Sequence, residues 1–471
     1  VYLSVVALSL ENLAALAWFE SRRVKDASDF IVAGGNLGSA VTGLSEIFSA
    51  YSGFWLIGVT GFAYTAGSWA WIVVPSQAFG WVLMYYGQAE RLKRSSTLEG
   101  EETIPACLGS RWDSRAVVGL GALFVTVFYA VYVAAQTSAG AKALVPFFDI
   151  DYVWAAVVMG AVIVLYTMSG GFLAVAVSDF LQGLLVVGGS SAMAVWAVLK
   201  VGGLGELFSR LASVDPALVT MTDGSTGLAL FGAVALWFLI GLGYFGNPHV
   251  LSRFLAIESS EGVRRAMFWS AAAQVVVTTT SVFIGLTARL LLPGLENPEL
   301  AFPSLATQQF PALFGGVVLV SVLGLIMSTA DSQLLISGTA VSRDFLERFA
   351  GRDLTDRQSE MVARAAVGVV GIFGVAVAAL QLDLVLWLIA FGWTALGAIF
   401  GPALFATLWW KRATRQGVLA SMVAGGVTAV VAHQWMTADR SAWFVAWNLW
   451  PFVASFAALV GVSLATETPD E

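Results

Sequence analysis

Ser328, Thr329, Asp331 and Ser332 crowd into Met327-Ser-Thr-Ala-Asp-Ser-Gln333, inside an otherwise apolar stretch. On a helix, Ser328 and Ser332 lie one turn apart, and Ser328 and Asp331 three residues apart, so they share a face with Thr329 beside them. Two such hydroxyls, joined by the carbonyls of an unwound helix, form a small all-oxygen cage. That chemistry suits a hard monovalent cation. A lone Ser/Thr pair would more simply bond back to carbonyls of its own helix; the density of polar groups, an aspartate among them, favours the cation.

Further polar residues stand in apolar surroundings, where each charge calls for a reason. Asp179 lies in Ser178-Asp-Phe-Leu-Gln182, and Glu46 lies between Ser45 and Ser49, ahead of Ser52, Gly53, Gly58 and Gly61. The stretch Gly241-Leu-Gly-Tyr-Phe-Gly-Asn-Pro248 combines three glycines with a proline, which removes an N–H and clashes with the preceding turn. Backbone groups freed there must be satisfied by a ligand, an ion or water. Glu11, beside Asn12, reads as structural or as a lipid-edge residue, and His249 and His433 as polar contacts. Trp393, among small residues in Gly392-Trp-Thr, is a pocket candidate.

The elements that position these residues follow from composition. Of 471 residues, 58% are apolar and 12% charged, with a mean hydropathy of +0.80. A soluble protein of this length needs a far more polar surface, so the chain reads as an all-α polytopic membrane protein. One cysteine, Cys107, excludes an internal disulfide, and two histidines leave little for a zinc site. A net charge of −7 with scattered basic clusters argues against nucleic acid; the surrounding partner is the lipid bilayer.

A membrane helix needs roughly 20 mostly apolar residues. Thirteen runs qualify, at about 2–20, 39–65, 68–89, 114–143, 151–168, 172–200, 227–252, 262–292, 310–342, 360–380, 383–410, 416–436 and 443–465. We number them spans 1 to 13. With the N-terminus outside and the C-terminus inside, the inner loops hold 19 of the 24 Lys and Arg, among them Arg22, Arg23, Lys25, Arg91, Arg253, Arg343 and Arg412. The outside keeps Lys142, Lys200, Arg210, Arg289 and Arg440. That asymmetry supports both the count and the orientation, in a cell inner (plasma) membrane. No cleavable signal is evident, so span 1 reads as a retained helix.

Spans 2 and 7 carry the breaks, five spans apart. Five is odd, so spans 2–6 and 7–11 would insert with opposite orientation, as an inverted repeat requires. The chain then divides into 1–38 (first helix and inside loop), 39–200 (repeat 1), 227–410 (repeat 2) and 411–471 (last two helices), all within a single transporter domain, 1–471.

The chain resembles the sodium:solute symporter family, most closely its bacterial sodium/proline branch, over nearly its whole length. The resemblance is carried by Ile240-Gly-Leu-Gly-Tyr-Phe-Gly-Asn-Pro-His249 with Arg253-Phe-Leu-Ala256, Tyr166-Thr-Met-Ser-Gly-Gly-Phe-Leu-Ala174 with Asp179, Met327-Ser-Thr329, Trp393 with Phe400-Gly-Pro402, and Arg412-Ala-Thr-Arg-Gln-Gly417. It implies thirteen helices, a LeuT-like core of spans 2–11, and alternating access.

The resemblance also implies a sodium ion between spans 2 and 9, held by the hydroxyls of Ser328 and Thr329 and the carbonyls of Phe48, Tyr51 and Leu325. A second cation site maps to Asp179, Ser328, Asp331 and Ser332. Ser52, Gly53, Tyr132, Gln136, Tyr244, Pro248 and Trp393 form the implied substrate pocket. Two positions depart from the sodium/proline pattern: Ala50 replaces a span 2 aspartate, and Ile240 replaces a tryptophan four residues before Tyr244. Glu46, one turn before Ala50, is a coupling candidate that either replaces the missing charge or carries a proton.

The expected function is a cation-coupled (Na+) symporter importing a small organic solute, first an amino acid such as proline, with no organic cofactor and no oligomer required. The alternatives are a proton-coupled or sodium-independent transporter of the same fold, a membrane sensor domain, and an intramembrane enzyme. No kinase or receiver segment follows span 13, and Asp179 and Asp331 suit a cation or polar network better than water activation, so the last two are the weaker expectations.

Overall fold

The computed structural model describes residues 1–8, 11, 35–99, 101–169, 172–222, 224–382, 384–436 and 444–466. Most of span 1, the basic loop after it with Arg22, Arg23 and Lys25, and Arg440 lie outside the described residues, so most of the 1–38 segment does too.

Among the described residues ten helical stretches are long and apolar enough to cross a membrane. The first, Ser39–Arg94, covers 56 residues. At about 1.5 Å per residue it would extend roughly 84 Å, well beyond a hydrocarbon core of about 30 Å, so it contains two crossings. They join at Gly67, whose φ of +61° no β-carbon tolerates well and whose added Cβ would lie 2.2 Å from the Leu218 carbonyl. These two crossings are spans 2 and 3. Spans 4 to 6 and 8 to 13 each overlap one helix, the last being Phe444–Ala465, and span 7 overlaps two. Of span 1, Tyr2–Leu8 and Glu11 are described, as helix, with Glu11 exposed.

Local sequence sets the helix ends. Ser114 accepts from Val117 N–H at the start of span 4 (Arg115–Phe148), and Ser259 from Gly262 N–H at the start of span 8 (Ser260–Leu291). Thr355 and Gln358 form a reciprocal capping box on span 10 (Asp356–Ala379). The amphipathic connector helix Leu204–Val214 buries Leu207 and Leu211.

Burial separates an inner set of helices from an outer one. The apolar window of span 11 (Val385–Trp409) is 94% buried, against 33% for spans 5 (Tyr152–Ser169) and 10. Spans 2, 4, 8 and 9 are also mostly buried. Polar residues can occupy these helices because neighbouring helices, not lipid, surround them.

Both suspected breaks are present. Within Ser39–Gly53, Ser52 adopts φ 50°, ψ −171°, and Phe54–Val59 continues as a π-helix. Span 7, expected over 227–252 with a break at Gly241–Pro248, consists of Gly227–Gly241, a 3-10 turn Leu242–Phe245, and a separate helix Pro248–Ala256 after an extended Asn247. Leu37 N–H donates to Ala256 O (3.0 Å) and Glu258 N–H to Leu37 O (3.0 Å), so the entry to span 2 and the exit from span 7 are side by side.

Candidate cation and substrate sites

The span 2 break exposes carbonyls. In a regular helix Gly53 N–H would serve Ser49 O; here it donates to Gln136 Oε1 at 3.0 Å. Phe54 N–H donates to Ser52 Oγ at 3.1 Å. Ser52 holds a backbone conformation that costs about 1–3 kcal/mol, which persists only where the surroundings enforce it. Gly53 contributes by its lack of a side chain, since a Cβ there would lie 2.4 Å from Ala139 Cβ.

Span 9 (Ala312–Thr339) brings its hydroxyls to those carbonyls. Ser328 Oγ donates to Phe48 O (3.2 Å) and Leu325 O (2.9 Å). Thr329 Oγ1 donates to Ser49 O (2.8 Å) and Leu325 O (3.4 Å). Both side chains are fully buried. Two hydroxyls and three carbonyls thus converge between spans 2 and 9, an all-oxygen donor set that fits a hard monovalent cation. Turning the two hydroxyl protons aside would aim every lone pair inward. The carbonyls involved are those of Phe48, Ser49 and Leu325; none of these bonds goes to Tyr51, and Ser49 was not anticipated.

The residues expected around a second cation are arranged about a side chain instead. Arg253, counted from the sequence as an inner-loop cation, is fully buried. Its Nη2 donates to Asp179 Oδ2 (2.9 Å), Ser49 Oγ (2.5 Å) and Ser332 Oγ (2.6 Å), its Nε to Ser45 Oγ (3.2 Å), and its Nη1 to the His249 carbonyl. Ser45 and Ser49 in turn donate to Asp179 Oδ2 at 2.7 and 3.0 Å. Asp179 and Ser332 therefore meet around a guanidinium. Ser328 belongs to the neighbouring hydroxyl pair, and Asp331 is buried without an ion pair among the described residues. The loop assignment failed because the span 7 break starts a new helix at Pro248, and residue 253 lies buried within that helix rather than in a loop.

Glu46 faces elsewhere. Its Oε2 accepts from Tyr85 OH (3.0 Å) and Ser270 Oγ (2.6 Å), and Ser270 accepts from Trp81 Nε1 (2.9 Å). Spans 3 and 8 hold this carboxyl; the span 9 hydroxyls do not touch it.

At the span 7 break, Asn247 Nδ2 donates to Gly243 O (2.6 Å) and Trp393 O (3.1 Å), while Trp393 Nε1 donates to Ile240 O (3.0 Å). Gly243 lets the indole approach, since a Cβ there would lie 2.1 Å from its ring. Tyr244 packs edge-on against Trp393 with centroids 4.8 Å apart. His249 N–H donates to Tyr129 OH (2.8 Å), whose hydroxyl also meets His249 Nδ1 (2.9 Å).

Both breaks border one small cavity of about 10 Å³, room for one water. Ala50, Phe54 and Trp55 line it from span 2, Ile240 from span 7, Tyr132 from span 4, Trp393 from span 11, and Gln77 from span 3. Of the expected pocket residues, Tyr132 and Trp393 face the cavity. Ser52, Gly53 and Gln136 shape the span 2 break, and Tyr244 and Pro248 the span 7 break. The two departures, Ala50 and Ile240, both line the cavity. Gln77, which sequence reasoning missed, is 4% exposed with its Nε2 unpartnered; a lone amide within span 3 was its only signal.

Comparison with known proteins places this geometry in a lineage. The family model described as the sodium:solute symporter family matches residues 30–425. The high-affinity proline transporter PutP of Bacillus subtilis is 31% identical, over 97% of this chain and 96% of its own. The osmoregulated proline transporter OpuE of the same organism is 29% identical, over 99% and 95%. A solved outward-open, substrate-bound Na+-coupled sialic acid symporter superposes with a TM-score of 0.83 at 20% identity, covering 100% of this chain and 98% of that one. The fold is therefore the LeuT-like one, and the chain belongs to the sodium:solute symporter family.

Proposed function

We propose that this multi-pass membrane protein imports a small solute of the amino-acid class, with proline the first candidate, driven by one sodium ion. The observation that carries this reading is the meeting of Ser328 and Thr329 with carbonyls released by the Ser52 break. An ion there would bridge spans 2 and 9, stabilise the outward-open state and complete the pocket beside Ala50 and Phe54. Its departure toward the low-sodium side would release that constraint, and the solute would follow as the helix bundle rocks.

Several features support this. As it stands the cavity has room for one water, so solute entry requires the surrounding spans to part; its walls of Trp55, Tyr132, Ile240 and Trp393, with the unpartnered amide nitrogen of Gln77, would then suit a compact, largely apolar solute carrying an acceptor such as a carboxylate. The fixed charge of Arg253 beside Asp179 favours one sodium over two. Both proline transporters above are similar along nearly their full length. The orientation, N-terminus outside, rests on loop charge, and a monomer suffices for the mechanism. The units 39–200 and 227–410 would be the two inverted repeats, each opening on a broken helix.

Proton coupling is the second reading, favoured by Ala50 in place of the family aspartate and by Glu46, buried without an ion pair among the described residues. Radiolabelled proline binding to purified protein, titrated with sodium at two pH values, separates the two. The sodium reading expects binding to rise with sodium at both pH values. Binding that follows pH and ignores sodium, and that Glu46→Gln abolishes, would overturn it.

A further inference from the structure

A second cavity, of about 350 Å³, lies beside the sodium-site helix and separate from the substrate cavity. Spans 4, 5, 6 and 9 build it together with Leu3 and Val6 of span 1, through residues that include Leu144, Met159, Leu323 and Met327. It is large enough for a small organic ligand, for which pockets of roughly 300–1,000 Å³ are usual. Its single polar lining residue is Gln182, which is 4% exposed with neither Nε2 nor Oε1 hydrogen-bonded. Gly324 makes room for this amide, because a Cβ there would lie 3.0 Å from Gln182 Cγ. An amide left unpaired at such a place forfeits about 1–3 kcal/mol for each group.

The chemistry of an occupant follows. Gln182 offers an amide NH2 donor and a carbonyl acceptor, side by side. A neutral carboxylic acid or a carboxamide satisfies both at once through paired hydrogen bonds. An ionised carboxylate has no proton for Oε1 and is costly at this depth. The remaining walls are apolar and suit a hydrocarbon chain. The cavity also has a way in: among its lining, Val158 is 49% exposed on the outer surface of the helix bundle, which the bilayer covers.

We propose that this cavity binds a neutral single-chain amphiphile from the bilayer, an acyl chain ending in a carboxylic acid or carboxamide. The head pairs with Gln182, and the chain lies between spans 5 and 9. Gly324 and Met327 each immediately precede a residue of the cation cage, Leu325 and Ser328, so the occupant touches the cage helix without sharing its ligands.

The test uses the full chain in lipid nanodiscs and a dodecanoic acid carrying a photoreactive diazirine on its terminal carbon, with crosslinks mapped by mass spectrometry. Crosslinks are expected to concentrate on peptides of spans 5 and 9. Excess dodecanoic acid or dodecanamide should compete, distinguishing free acid from amide by relative potency, while methyl dodecanoate, which lacks the donor, should compete about tenfold less well. Gln182→Leu should lower the yield by a similar factor. Val158→Trp, which plugs the mouth and leaves the polar core alone, should do the same if Gln182→Leu fails to fold. Crosslinks spread evenly over the outer surface, or equal competition by the methyl ester, would overturn the proposal.

Discussion

Arg253 shows what a single residue contributes here and how it escapes notice. Its partner Asp179 lies 74 positions away, and Ser45, Ser49 and Ser332 lie further still. No local pattern links them, and a basic residue just past a Gly/Pro-rich break reads as a loop charge. Ser328 and Thr329 were legible because their chemistry is local, two hydroxyls in an apolar run with an aspartate nearby. Their partner Ser49 O was not, since only the three-dimensional break frees it. Removing one member of a buried ion pair strands the other charge, at a cost of about 3–5 kcal/mol, whereas removing both costs much less. Arg253→Met and Asp179→Asn should therefore each lower the thermal stability of the purified protein sharply, and the double variant should recover much of the loss. Additive losses would show that the two groups do not depend on each other.

At the scale of elements, the breaks were foreseen from glycine, serine and proline content, and their form was not. Pro248 marks the span 7 break because it lacks an N–H. The span 2 break has no proline; it depends on Ser52 at positive φ, Gln136 capturing Gly53 N–H, and close packing of Gly53 on span 4. Those contacts are tertiary, and serine content alone does not specify them. Gly53→Ala should force spans 2 and 4 apart at about 1–3 kcal/mol and abolish solute uptake. Ala139→Gly in the same chain should restore part of it, because the two β-carbons collide directly. Wild-type uptake by Gly53→Ala would mean the break does not need that contact.

For the whole molecule, hydropathy delivered the positions of spans 2 to 12 among the described residues, because lipid demands long apolar helices whatever their packing. It did not deliver the connector helices or the small cavity between the breaks, where Gln77 and Trp55 come from different spans and only the assembled bundle joins them. Taking Arg253 out of the loop count leaves the inner-loop excess of positive charge intact, so the orientation remains an expected outcome. Single cysteines at the exposed positions Asp215, Glu296 and Arg352, in a chain with its buried Cys107 replaced, test it. A membrane-impermeant maleimide applied to intact cells should label positions 215 and 296 and spare 352. The opposite pattern would invert the topology.

The account depends most on sodium and solute binding being one linked event through the span 9 hydroxyls. Linkage requires that sodium raise solute affinity by the same factor as solute raises sodium affinity. Scintillation proximity binding of proline across a sodium series, in wild type and in Ser328→Ala with Thr329→Val, measures that factor directly. The expected result is a proline Kd that falls as sodium rises in the wild type, with the sodium requirement shifted up by about a hundredfold or more in the variant, which loses two charge-assisted contacts worth about 1.5–3 kcal/mol each. An identical sodium dependence in both proteins would contradict it.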